Sequence, residues 1–137
     1  ALSAARAALE EGIVAGGGVA LLVASAALDG VKAEGDAAIG VNLLRRALEE
    51  PARQIAHNGG EDGSVVVNEI RTRQQAANSE TIGYNMATGQ YEDLVAAGVI
   101  DPAKVTRVAL ENASSIAQMI LTTETLVADA DKKEDEH

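Results

Sequence analysis

Residues 10–22, EEGIVAGGGVALL, set three consecutive glycines, Gly16, Gly17 and Gly18, between two apolar helical patterns. A glycine inside a helix costs about 1 kcal/mol relative to alanine, so three in a row need a compensating role. Three roles are open: a turn that needs positive φ, a close approach to another backbone, or a ligand that only bare backbone can reach. The run is neither GxGxxG nor a Walker A loop, because no Gly-Lys-Ser/Thr follows it. A glycine-rich segment that opens a helix still presents free N–H groups, on which a nucleotide can rest. Tight packing explains the same residues without a ligand.

Helical signals flank the run on both sides. Upstream, Leu2, Ala5, Ala8 and Leu9 share one face of a helix over 2–11 that Gly12 closes. Downstream, Val19 to Leu28 is apolar nearly all round, the pattern of a buried helix. Asp36 reads as the N-cap of a helix carrying Ile39, Leu43, Leu44, Ala47 and Leu48. Pro51 reads as the first turn of a separate short helix to His57, ended by Asn58-Gly59-Gly60. Glu61 to Ser64 then opens a helix with Val65, Val66, Val67 and Ile70, and residues 72–81 are expected to form a polar loop.

Further along, Ile82–Tyr84 and Gln90–Glu92 flank a polar turn and predict a β-hairpin, which holds both tyrosines. One helical turn is expected from Asp93 to Ala97, stopped by Gly98. Asp101-Pro102 has the form of a helix start, with Asp as N-cap and Pro in the first turn. That helix would carry Val105, Val108, Ala109, Asn112, Ile116, Met119 and Ile120. Thr122 to Val127 is β-branched and extended in character. The expected fold is all-α, multihelical, with a small β-hairpin and a C-terminal extended strand.

Composition narrows the function. The 137 residues suffice for one domain and contain no cysteine, which excludes disulfides and thiolate metal sites. Two tyrosines are the only aromatics, so a core of Ala, Val, Leu and Ile is expected. The net charge of -10 argues against nonspecific binding to nucleic acid or to anionic membranes. No apolar run reaches the roughly 20 residues of a membrane span, and no signal-peptide pattern is present. A cytoplasmic protein is expected. The absence of an initiator methionine and the helical character of the first residues suggest a segment of a longer chain, and residues 129–137 suggest an acidic mobile tail.

Few residues suggest chemistry. His57 and His137 are far apart in sequence and lack ordered acidic partners, so no metal site is expected. Ser25, Ser64, Ser114 and Ser115 lack a nucleophile-elbow context, and no catalytic residue is expected. Asp101 can be a helix cap or a carboxylate that grips a pair of hydroxyls, as carboxylates do with ribose. Asn85 can be a turn asparagine or an amide that reads a purine edge.

Three segments together resemble a known family: EEGIVAGGGVALL, GYNMATGQYEDLVAAGVIDPAKVTR and the ILTTETLVAD ending. They are similar to the C-terminal part of the equatorial domain of group I chaperonins, the GroEL type, and NLLRRALEEPARQIAHNGGEDGSVVVNEI fits between them. The resemblance implies that residues 1–128 form part of an ATP-binding domain in a double ring of seven-subunit rings. Within it, Gly17 and Gly18 would meet ATP, Asn85, Met86 and Ala87 would lie by the adenine, Val99 would pack near the base, and Asp101 would bind the ribose. Other chaperonin subunits, a co-chaperonin and non-native protein clients are the implied partners.

Two departures stand out: Met86 replaces the family's usual alanine, and the tail lacks Gly-Gly-Met repeats. The family's Gly-Asp-Gly-Thr-Thr phosphate loop has no counterpart here, and its catalytic aspartate would immediately precede Ala1. Magnesium and potassium would be held by those other parts. Phosphoryl transfer depends on positioning and neutralising the γ-phosphate, so the isolated chain is expected to lack ATPase activity. It stands alternatively as a helical structural or self-association module that binds no nucleotide.

Overall fold

The computed structural model describes residues 2–30, 32, 34–115, 118, 119 and 122. Helix α1 (Leu2–Glu11) ends at Gly12, whose φ of 86° closes it, and leads into β1 (Ile13–Ala15). Helix α2 (Val19–Ala27) follows the glycine run. Next come α3 (Asp36–Asn58) and α4 (Gly63–Ala77). The hairpin β2 (Ile82–Asn85) and β3 (Gln90–Asp93) precedes β4 (Ile100–Pro102). A further helix, α5, occupies 103–115. The all-α architecture with a small hairpin is as expected. No described helix is long and apolar enough to cross a membrane.

Packing of α2, α3 and α4 builds the main core: Leu22, Ala52, Ala56, Val66, Val67 and Ile70, with Tyr84 and Tyr91 against it. A second cluster, Ala15, Val19 and Leu94, lies where β1 and α2 meet the hairpin. Gly83 allows that meeting, because a Cβ there would collide with Val19 and Leu94. Small side chains bring the helices close, as an aromatic-poor composition requires.

Several expectations are corrected. Pro51 does not start a helix; it sits inside the 23-residue α3. A proline there removes one backbone bond, at a cost of about 3 kcal/mol. Burial of Leu48, Ala52 and Ala56 along one face carries the helix through. The N-cap of α3 is Gly35, and Asp36 is the first helical residue, where its charge suits the helix dipole. Residues 72–77 are helical rather than loop. The Gln74 amide donates to the Ile82 carbonyl at 2.8 Å, and Asn78 closes α4 in the left-handed conformation (φ 48°).

Burial also departs from periodicity. The α2 helix buries only Val19, Leu22 and Ser25. In α1 the buried residue is Ala7, while Leu2 and Leu9 are exposed. Asp62 caps α4, accepting from the backbone N–H of Ser64 and Val65, which makes the acidic turn at 60–63 a helix start. Thr122 is helical and donates to the Gln118 carbonyl, contrary to the expected strand start. Residues 123–127 of that expected strand, and the expected tail at 129–137, lie outside the described residues.

Candidate functional site

Strand β1 pairs antiparallel with β4, Val14 opposite Asp101 and Ala15 opposite Ile100. The Gly16 N–H extends this ladder by donating to the Val99 carbonyl at 2.8 Å. Then Gly17 (φ 65°) and Gly18 (φ 76°) turn the chain in the left-handed region and start α2. Two successive left-handed residues are a conformation that only glycine adopts freely. The Val19 N–H returns to the Gly16 carbonyl, and Gly18 lies against the backbone of α3 at Pro51 and Ala52. Two of the three open roles, positive φ and close backbone approach, are therefore realised within the chain.

A cavity of about 100 Å³ opens beside this turn, lined by Gly18, Leu21, Pro51, Asp101, Val105 and Ala109 among others. Asp101 is not the cap of α5. It lies in β4, and the first helical N–H, that of Ala103, donates to the Gly12 carbonyl at 3.0 Å. Pro102 carries no N–H and suits the end of a short edge ladder. Among the described residues the exposed Asp101 carboxylate has no hydrogen bond or ion pair, so both oxygens are open to a hydroxyl ligand.

The other expected residues lie on the hairpin and beside it. Asn85 is buried; its Oδ1 accepts the Ala87 N–H at 3.0 Å and its Nδ2 donates to Glu92 at 2.7 Å. Met86 is exposed and lies against Gly59 at the end of α3, while Ala87 is exposed on the turn. Val99 is half-buried against the Ala15, Val19 and Leu94 cluster. The Tyr84 carbonyl lies 3.7 Å from where a Cβ of Gly17 would stand. Thus Gly17, Gly18, Val99 and Asp101 share one turn and ladder. Asn85, Met86 and Ala87 adjoin it through Tyr84 but do not line the cavity.

Sequence reasoning missed the Gly18–Ala52 contact and the part played by Glu92. Register carries the second signal: Asn85 pairs with Gln90, so Glu92, two residues on, shares their face of the hairpin. It also missed Glu49, which is 5% exposed and ion-paired to Arg53 at 2.6 Å and to Arg71. Arg71 also donates to Ser25 at 2.9 Å, tying α2, α3 and α4 together.

Charge at the periphery is ordered by pairs. Arg107 of α5 bonds the Glu11 carboxylate of α1 and holds its pKa below the usual carboxylate range; Glu11 and Glu111 in turn push the guanidinium up. The Ala96 N–H, donated to Asp93, lowers that carboxyl in the same way. Burial raises the Tyr91 phenol, whose ring meets that of Tyr84 at a tilt of 56°, centroids 5.1 Å apart, and lies under Arg73.

These residues fit the sugar side of a nucleotide and not the whole of it. Asp101 supplies an acceptor for hydroxyls. The cavity is well below the roughly 300–1,000 Å³ of small-molecule pockets, and among the described residues no basic side chain lines it to meet phosphate. Among the described residues no group of three or more His, Asp or Glu is placed to hold a metal ion.

Residues 1–131 match the model of the TCP-1/cpn60 chaperonin family, and the chain belongs to that family. Its fold is similar to the crystal structure of a group III chaperonin in the open state, with a TM-score of 0.74 and 34% sequence identity. The likeness covers 85% of this chain and 24% of that one, so the chain spans about a quarter of the length of the chaperonin it matches.

Proposed function

We propose that this chain is the C-terminal part of the equatorial, ATP-binding domain of a cytoplasmic group I chaperonin, and that it supplies the base and ribose side of the nucleotide site. The observation that carries the reading is the open Asp101 carboxylate beside the Gly18 turn. Gly17, Asn85, Met86, Ala87 and Val99 complete that side. Support for the group I type comes from the glycine-run, hairpin and ILTTETLVAD segments. ATP would drive folding of non-native clients in an oligomeric double ring capped by a co-chaperonin, with phosphate, magnesium and potassium held by other parts of the full protein.

A second reading concerns the 137-residue chain by itself. Protein backbone already fills the space beside Gly16 and Gly18, which favours a structural module that binds no nucleotide alone. Calorimetric titration with Mg-ATP tests both readings. In the assembled chaperonin, Asp101→Ala is expected to weaken ATP binding about tenfold, the scale of a lost charged hydrogen bond. Because Asp101 caps no helix, the melting temperature is expected to stay within a degree or so of the parent's, on the scale of a neutral surface change. Unchanged ATP affinity would sink the ribose assignment. The isolated chain is expected to give no binding heat; heat that Asp101→Ala abolishes would overturn the second reading.

A further inference from the structure

The Asn85 amide is held at both ends by partners of opposite character. Glu92 can only accept in its ionised form, and it takes the Nδ2 hydrogen at 2.7 Å. The Ala87 N–H can only donate, and it meets Oδ1 at 3.0 Å. A flipped amide would set donor against donor at Ala87 and acceptor against acceptor at Glu92, so one orientation is imposed. Thr88 Oγ1 donates to the same Glu92 oxygen at 3.3 Å, steadying the carboxylate. With Asn85 only 7% exposed, the amide has little room to turn.

We propose that Glu92 is a positioning residue that fixes the Asn85 amide and thereby makes the base site prefer adenine to guanine. This rests on the assignment of Asn85 to the base. After the two internal bonds the amide keeps one Nδ2 hydrogen and one Oδ1 lone pair. Adenine offers an amino donor beside a ring-nitrogen acceptor, the pair that a correctly turned asparagine matches. Guanine puts a carbonyl acceptor where adenine has its amino group, so an amide locked this way rejects it. Without Glu92 the amide would lose the anchor on its donor end and sample other orientations.

Steady-state turnover of ATP and of GTP by the assembled chaperonin tests this with Glu92→Ala, Glu92→Gln, Thr88→Val and Asn85→Ala. Glu92→Ala is expected to raise the KM for ATP about tenfold with kcat nearly unchanged, and to narrow the ATP over GTP preference, on the scale of one lost charged hydrogen bond. Glu92→Gln, which keeps an acceptor oxygen, should restore most of both. Thr88→Val, which leaves Glu92 in place, should shift KM in the same direction by less, and it serves as the readout if Glu92→Ala does not fold. If Glu92→Ala lowers the melting temperature but leaves KM and base preference at the parent values, while Asn85→Ala raises KM, the positioning role is overturned and the base assignment stands. If Asn85→Ala also leaves KM and preference unchanged, the base assignment falls and the positioning role falls with it.

Discussion

A Cβ built on Gly18 stands 2.6 Å from the backbone nitrogen of Ala52 and 2.9 Å from its Cα. The obstacle is helix backbone, which cannot swing aside as a side-chain tip can. Gly18 also has a φ of 76°, where an L side chain is strained. Gly18→Ala is therefore expected to destabilise the chain by about 3 kcal/mol, overpacking and backbone strain together. At Gly17 the nearest obstacle is the Leu94 Cδ1, 3.2 Å away and able to move. Gly17→Ala should cost about 1 kcal/mol, mostly from its positive φ. Urea melts of the two variants check the order; equal losses would show that the α3 contact adds nothing. A Gly17→Val test of nucleotide contact would be confounded by the same backbone strain.

Much of this fold was legible because local rules and tertiary packing agree. Gly12 ends α1, Gly60 in the left-handed region (φ 84°) follows the end of α3, and the tyrosines mark the hairpin, each through a residue whose conformational preference suits its place. Pro51 was misread because its local cost is real, yet the buried Leu48, Ala52 and Ala56 face outweighs it, and no single-helix pattern reveals a neighbour. Asp101 was misread as a cap for a similar reason. The Ala103 N–H finds its acceptor at Gly12, some 90 residues earlier, across a ladder that the sequence does not advertise. At the site, the glycine run announced that something must come close. Only the packing shows that α3 and the segment ending in Val99 are what come close.

Glu49 should be costly to neutralise. It is buried between Arg53 and Arg71, and Arg71 also reaches Ser25. Removing one member of a buried ion network leaves the others uncompensated, at about 3–5 kcal/mol when burial is complete. The arginine side chains here are 27% and 34% exposed, so water can take up part of the loss. Glu49→Ala is expected to cost about 2 kcal/mol in urea denaturation. Combining it with Arg71→Met should recover part of that loss, since a stranded charge is removed. A double variant as unstable as the sum of the two singles would mean that the pair is not coupled.

The Glu11–Arg107 pair predicts a specific response to acid. Bonding to Arg107 lowers the pKa of Glu11 in the folded chain relative to the unfolded one, so the unfolded state takes up its proton first as pH falls. The pair's contribution is therefore fully present above the ordinary carboxylate value of about 4.3 and is lost as pH falls through the lower folded value. It clasps α1 to α5 through two bonds, of 3.1 and 2.8 Å, at a half-exposed guanidinium. Glu11→Gln cannot take up that proton. Melting temperatures recorded from pH 7 down to pH 3 should fall less steeply below about pH 4 in Glu11→Gln than in the parent chain. Added salt should shrink the difference, because the pair is open to screening. Parallel acid limbs in the two proteins at low salt would show that the Arg107 contact does not hold the Glu11 charge in solution.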